Sequence, residues 1–325
     1  FAPQSFKTWF ASHEPRNPAG SPVVLFADTF NNYFHPDVAI AATEVLEDAG
    51  FRVLVPMADV CCGRPLYDYG FLNMARRWWI DMLQKLRPYY QDGVPMVVLE
   101  PSCWAAFQDE LPNMLPNHED AKRLKPLTFT LADFLRNRAP HYPLPKLKRK
   151  ALLHGHCHQK ALDRLNDREF GELFAEKEIF KKMELDVRKP DTGCCGMAGA
   201  FGYEEEGGHY EVSVACGDRV LLPEVRKARS DELIIADGFS CQEQIEQQTS
   251  RHALHSAQVL QMAIRGEEKV SHERPESCVA QHRKRQQAMG MVRAALVIGG
   301  AAVFGIWALR AARKRPRLVA PKGDL

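Results

Sequence analysis

The sequence predicts an α/β fold made of two repeated βαβ-type cysteine-rich halves with parallel sheets, followed by a C-terminal helix. Three observations carry that prediction. The tripeptide Cys-Cys-Gly occurs twice, at residues 61–63 and 194–196. Short apolar runs suited to buried strands recur around it at matching places in each half, and segments of helical period separate those runs.

The first matching pair is PVVLFADTF at residues 22–30 and ALLHGHCHQ at residues 151–159, each an apolar run that ends in a polar turn. A helix follows in both. Residues 35–50 set Val38, Ala41, Ala42, Val45 and Leu46 on one face and finish at Gly50, a natural C-cap. Residues 169–183 do the same with Phe170, Leu173, Phe174, Ile179 and Phe180. Strand-like runs at residues 51–56 and 185–188 then lead to the two Cys-Cys-Gly turns. The third pair is MVVLEPSCWAAFQDE at residues 96–110 and ELIIADGFSCQEQIEQ at residues 232–247, read as strand, turn, cysteine and helix. Equivalent positions lie 129 residues apart for Asp28 and Cys157, 133 for Cys61 and Cys194, and 138 for Cys103 and Cys241. A slow drift of this kind is what loop insertions leave in a duplication.

The expected layout is a linker from an upstream domain over residues 1–21, a first repeat over 22–149 and a second over 150–266. A polar linker over 267–287, a candidate transmembrane helix over 288–313 and a basic tail over 314–325 complete it. With Phe1 in place of an initiator methionine, the chain reads as the C-terminal portion of something longer. Its net charge of +2, with no recognition motif, argues against a nucleic-acid partner.

Nine cysteines are many for an intracellular enzyme and too few for a disulfide-stapled scaffold. Four of them form two vicinal pairs, whose Cα atoms stand about 3.8 Å apart, closer than disulfides ordinarily allow. The pattern points to thiolate metal chemistry in a reducing compartment. In open parallel sheets functional groups gather beyond the carboxyl ends of the strands, where all these cysteines fall. The second half offers Cys157, Cys194, Cys195 and Cys241, four candidate ligands from three loops. The first half offers a thiolate-poor set, Cys61, Cys62 and Cys103, with Asp28 at the fourth place. Burial as small hydrophobes is the competing reading for any one cysteine, and it suits Cys216 and Cys278, which have no counterpart. Strand alternation would set His154, His156 and His158 on the face opposite Cys157, whereas a turn would bring His156 or His158 behind the ligands.

The strings CCGRPLYDYG, LEPSCWAAFQDEL, HGHCHQKAL, GCCGMAGAFGYE and DGFSCQEQI resemble the cysteine-rich C-terminal region of FAD-linked oxidases with an iron-sulfur region, the D-lactate, glycolate and D-2-hydroxyglutarate dehydrogenase group. The same repeat resembles the B subunit of heterodisulfide reductase and the iron-sulfur subunits of glycolate oxidase and anaerobic glycerol-3-phosphate dehydrogenase. The resemblance implies an electron-transfer module that carries an iron-sulfur cluster, of the 4Fe-4S kind, or zinc. It further implies FAD in an upstream domain or a flavoprotein partner. The heterodisulfide reductase pattern closes with C-x-x-C, and neither Cys103 nor Cys241 has that second cysteine. A zinc-bound or metal-free docking module is the alternative expectation.

Residues 294–309 are apolar and uncharged, shorter than the ~20 residues that cross a bilayer, but residues 288–292 extend them and basic clusters flank both sides. These features give the expectation of an anchor on the cytoplasmic side of the cell membrane, near quinone or another membrane acceptor.

Overall fold

The computed structural model describes residues 1–165, 173–266, 274–277, 279–281, 283–285 and 288–292. Four strands, β1 (Pro22–Phe26), β2 (Arg52–Leu54), β3 (Met96–Val98) and β4 (Thr128–Phe129), form one sheet in the order β2-β1-β3-β4. Three more, β5 (Lys150–His154), β6 (Asp186–Arg188) and β7 (Leu233–Ala236), form a second in the order β6-β5-β7. Every pairing is parallel, with Pro22 opposite Arg52, Val24 opposite Met96 and Ala151 opposite both Val187 and Leu233. Parallel strands are covered on both faces, which is why β1 and β7 read as unbroken apolar runs.

The two halves share a core. Val23, Leu25, Val53 and Val97 on one face of the first sheet belong to the same buried cluster as Ala151, Leu153, Leu233 and Ile235 of the second. Helices Pro36–Asp48, Leu131–Arg138, Phe174–Lys182 and Ser256–Ile264 contribute Leu46, Phe134, Phe180 and Leu260 to it. The opposite face of the first sheet, with Val24, Phe26 and Val98, is covered by Trp79, Met82 and Leu83 of the Leu72–Tyr90 helix. Leu152 and Ile234 of the second sheet pack on Leu221, Val225 and Ile245.

Helix Pro36–Asp48 buries Val38, Ala41, Ala42, Val45 and Leu46, the face expected from its spacing. It ends in a Schellman motif, with Phe51 N–H donating to Leu46 O at 3.0 Å and Gly50 N–H to Glu47 O at 3.0 Å. Helix Phe174–Lys182 repeats that ending: Leu185 N–H donates to Phe180 O and Glu184 N–H to Lys181 O, each at 3.0 Å. Its Phe174, expected in the core, is exposed in the first turn with the Arg136 guanidinium over its ring at 4.6 Å. Phe170 lies outside the described residues.

Residues 1–21, expected as a linker, contain helix Phe6–Phe10, capped by Ser5, with Phe6 fully buried in the shared core. Lys7 Nζ donates to Ala58 O at 2.7 Å. From the stretch expected as a polar linker, Glu276 forms a buried ion pair with Arg251 of the second repeat, and Arg283 meets Asp37 of the first at 2.9 Å. These charges find partners in the two repeats, which a polar composition alone does not reveal. Of the candidate membrane helix only residues 288–292 are described, and the basic tail lies outside the described residues. Among the described residues no helix is long and apolar enough to cross a membrane.

Candidate metal centre

The second sheet delivers four cysteines to one place. Cys157 opens helix Cys157–Leu165 just past β5, Cys194 and Cys195 lie on the loop after β6, and Cys241 sits in the first turn of helix Phe239–Gln248 after β7. Their thiols touch in sequence: Cys157 with Cys194, Cys194 with Cys195, and Cys195 with Cys241. Cys195 and Cys241 are buried, and Cys157 and Cys194 are partly exposed. Hydrogen bonds from the Cys157 and Cys195 thiols hold Cys194 far below the usual thiol range, and the Cys195 thiol, with His154 and His156, does the same for Cys241. The Cys157 and Cys195 thiols, as donors to thiolate neighbours in a buried site, are pushed well up. Crowded sulfurs thus share protons unless a cation lets all four ionise.

The Gly196 backbone sets the turn. Its φ is +96°, and a Cβ there would lie 2.1 Å from Ser213 O. Gly63 is its counterpart, at φ +72° with a Cβ 2.8 Å from Trp79 Nε1. The space that glycine opens is filled by protein in both turns. Cys216, expected to be incidental, lies behind the second turn with its Sγ 3.8 Å from Cys194 O. Cys278 lies outside the described residues.

The histidines depart from strand alternation because β5 ends at His154 and the chain turns into a helix at Cys157. His156 is buried, 3.8 Å from Cys157 Sγ through Nδ1, and accepts the His158 N–H at 3.2 Å. Burial lowers both imidazoles, His158 to about 3, with Arg64 of the first half adding to each shift. His154 Nδ1 pairs with Thr192 Oγ1 at 2.6 Å, and Lys160, also buried, donates to Thr192 Oγ1 at 3.2 Å and Gly193 O at 2.7 Å.

In the first half Cys62 and Cys103 stand 2.8 Å apart through sulfur, and Cys61 adjoins Cys62. Trp78 and Trp79 donate their indole N–H groups to the Cys61 and Cys62 carbonyls at 3.0 and 2.6 Å. Against the lowering contact with Cys62, burial and the carboxylates of Asp28 and Glu100 push the Cys103 thiol up to about 12. Asp28, at the place of the fourth ligand, is committed elsewhere. Its Oδ1 caps helix Thr29–Tyr33 through the Phe30 and Asn31 N–H groups at 3.0 Å, and its Oδ2 accepts Asn31 Nδ2 at 2.8 Å.

The two cysteine sets lie on either side of one seam, where helix Pro101–Ala105 meets helix Cys157–Leu165. Glu100 crosses it: Oε1 accepts Ser102 Oγ at 2.8 Å, and Oε2 accepts Phe239 N–H at 2.9 Å, capping the helix that carries Cys241. Burial, with Asp28 nearby, pushes the Glu100 carboxyl up to about 8. Sequence reasoning missed Glu100, Arg64, Thr192 and Lys160. Only Lys160 left a trace, three residues after Cys157 at a helix start and therefore on the same side.

Fold and site together define a duplicated α/β module with a thiol cluster at the carboxyl edge of each sheet. The family described as CCG: Cysteine-rich domain matches residues 26–108. The C subunit of anaerobic glycerol-3-phosphate dehydrogenase from Escherichia coli K12 is 27% identical over 266 residues, 80% of this chain and 64% of its own length. D-2-hydroxyglutarate dehydrogenase of Pseudomonas putida is 28% identical over 239 residues, 73% of this chain and 22% of the relative. Lactate utilization protein A of Geobacillus kaustophilus is 30% identical over 184 residues, 55% of this chain and 73% of the relative. The chain belongs to the CCG cysteine-rich domain family.

Proposed function

We propose that this chain is an electron-transfer module of an FAD/iron-sulfur oxidoreductase, with Cys157, Cys194, Cys195 and Cys241 as ligands of an iron-sulfur cluster. The observation that carries the reading is the convergence of those four thiols from three loops on one edge of the second sheet. The donor set fits. A single zinc with four Zn–S bonds of about 2.3 Å would draw its sulfurs to within about 4 Å of one another. Among the described residues the triad of donor atoms gathered within 4.8 Å is His156, Cys157 and His158, not any three of the four cysteines. A line of thiols spread more widely suits a cluster with several irons, of the 4Fe-4S kind.

When bound, such a cluster supplies one-electron redox chemistry between a flavin and an acceptor. The chain's own residues hold and tune the site. The start of helix Phe239–Gln248 favours thiolate at Cys241. Buried Cys195 and Cys241 keep water from one side, and partly exposed Cys157 and Cys194 leave the other open to a partner. Cys61, Cys62 and Cys103 form a second, thiolate-poor site, since Asp28 serves as a helix cap.

Two relatives are named a D-2-hydroxyglutarate dehydrogenase and a lactate utilization protein, which supports a 2-hydroxy acid as the substrate of the whole enzyme; the D-lactate or glycolate type, with FAD on an upstream domain or partner flavoprotein, is the reading that the cysteine motifs add. Quinone or another membrane acceptor, reached from the cytoplasmic side of the membrane, fits the apolar residues 294–309. One observation favours a second reading, a zinc-bound docking module: the close His156, Cys157 and His158 triad. Anaerobic purification with iron, sulfide and zinc analysis, followed by electron paramagnetic resonance after reduction, separates the two. The expected result is iron with matching sulfide and a signal on reduction that Cys195→Ser abolishes. Stoichiometric zinc with no signal, or folded metal-free protein that takes up no iron, would overturn the proposal.

A further inference from the structure

In the first half, and independent of how the second-half site is filled, we infer that Cys62 and Cys103 are a redox-active dithiol that a hydroperoxide closes to a disulfide. Vicinal cysteines stand too close along the chain to pair with one another, but these two come from segments 41 residues apart. Their sulfurs are 2.8 Å from each other, inside van der Waals contact. A movement of less than about 1 Å brings them to the ~2.05 Å of a disulfide bond.

Both partners are held in place. The Trp79 indole donates to the Cys62 carbonyl at 2.6 Å, and Cys103 lies in helix Pro101–Ala105, just past β3. Among the described residues the group of three donor atoms gathered within 4.8 Å is His156, Cys157 and His158, so Cys62 and Cys103 stand as a pair. Their setting is apolar. They are 4% and 5% exposed and share a buried cluster with Phe26, Trp79, Trp104 and Phe107. A disulfide is neutral and suits such a site better than thiolates, whose charge burial penalises. The duplication supplies an internal comparison. At the offsets that relate the halves, Cys62 and Cys103 correspond to Cys195 and Cys241, whereas Cys157 corresponds to Asp28, and His154, His156 and His158 to Leu25, Ala27 and Thr29. Asp28 is committed to its helix cap, and Leu25 and Ala27 are core residues. The first half thus lacks the fourth thiol and the imidazoles around it, and keeps the two sulfurs that touch.

The chemistry balances with hydrogen peroxide as the oxidant. One thiol sulfur attacks a peroxide oxygen, the O–O bond breaks, and a sulfenic acid and one water result. The second sulfur attacks the first, the S–O bond breaks as the S–S bond forms, and a second water leaves. The two thiols lose two electrons and two protons, and the peroxide is reduced to water. A small dithiol reverses the step by exchange, leaving as its own disulfide while Cys62 and Cys103 regain their protons. Hydrogen peroxide is small and uncharged, which suits entry beside Cys61, the partly exposed neighbour of Cys62. In a reducing compartment such a bond is transient, so the pair responds to oxidant rather than stapling the fold.

Peptide mass spectrometry tests this. The reduced chain is treated with hydrogen peroxide under anaerobic conditions, blocked with N-ethylmaleimide and digested. The expected product is a pair of peptides joined through Cys62 and Cys103, with alkylation of both residues lost in step and restored by dithiothreitol. The same cross-link should form in the wild type and in Cys195→Ser, so failure of the second half to hold iron overturns the proposed function and leaves this result standing. Cys62 and Cys103 that are still fully alkylated after Cys216 has been oxidised overturn the inference. A cross-link of either residue to Cys61 in place of the other does so too, as does iron that remains bound in Cys195→Ser and is lost on adding Cys62→Ser.

Discussion

Gly196 and Glu100 show what single residues contribute at the seam. At Gly196 a left-handed backbone coincides with a Cβ position 2.1 Å from a backbone oxygen. Alanine there must both hold an unfavourable φ, which costs ~1–2 kcal/mol, and displace the Ser213 carbonyl. Gly70 has a similar φ, +79°, with nothing within 4 Å of its Cβ position. Gly196→Ala should therefore lower the melting temperature well beyond Gly70→Ala, and equal losses in calorimetry would refute this account of the turn. Glu100 makes a pH statement. Its folded value is raised to about 8 from 4.5 by burial, with Asp28 beside it raised in the same direction and His255 facing Asp28. A carboxyl raised on folding contributes stability that is full below its unfolded value and is lost as pH rises through the folded one. Thermal stability should fall between about pH 4.5 and 8, and Glu100→Gln, which keeps an acceptor for Phe239 N–H, should reduce that fall. Melting curves with the same pH slope in both proteins would rule Glu100 out as the cause. The cysteines were legible at this scale because vicinal thiols have few structural uses. Glu100 was not, since a glutamate after an apolar strand reads as the polar end of a turn, and its partner Phe239 is remote in sequence.

At the scale of elements the duplication is written in how helices end as well as in the cysteines. Helices Pro36–Asp48 and Phe174–Lys182 close with the same pair of hydrogen bonds. The first uses Gly50 at φ +90°, whereas the second puts Glu184 at φ +64°. Glycine is the residue that adopts this conformation without steric cost, so Glu184→Gly should raise the melting temperature despite losing the exposed ion pairs to Lys146 and Lys148. Surface pairs of this kind contribute little. A lower melting temperature would mean that those pairs outweigh the strain. Strand and helix positions followed from apolar period, and Gly50 marked its helix end in advance. The second ending carried no such mark, because the Schellman geometry there is imposed by Leu185 packing back into the core rather than by a permissive residue. The histidine run misled for a related reason: alternation holds only while a strand lasts, and β5 stops at His154, three residues before Cys157.

The whole molecule behaves as one packing unit although its sequence reads as two. An amphipathic helix shows the same apolar face whether it covers its own sheet or a neighbour's, so the repeat could not announce that the inner helices of both halves meet. In the structure Leu46, Phe180 and Leu260 lie in one buried cluster that touches both sheets. Side-chain bonds add to the joint: Gln258 Nε2 donates to Asp37 Oδ2 at 2.7 Å, and Arg265 holds Glu44 in a bidentate pair at 2.7 and 2.9 Å. The seam between the thiol sites is therefore fixed by the core beneath it. Phe180 tests this. It is fully buried, and its sequence neighbours all belong to the second half. Phe180→Ala should cost ~3–5 kcal/mol, and in hydrogen exchange the amides of β1 and β3 should lose protection together with those of β5 and β7. If the second sheet alone loosened while the first kept its protection, the halves would be separate folding units, and the shared cluster would be a contact surface rather than a core.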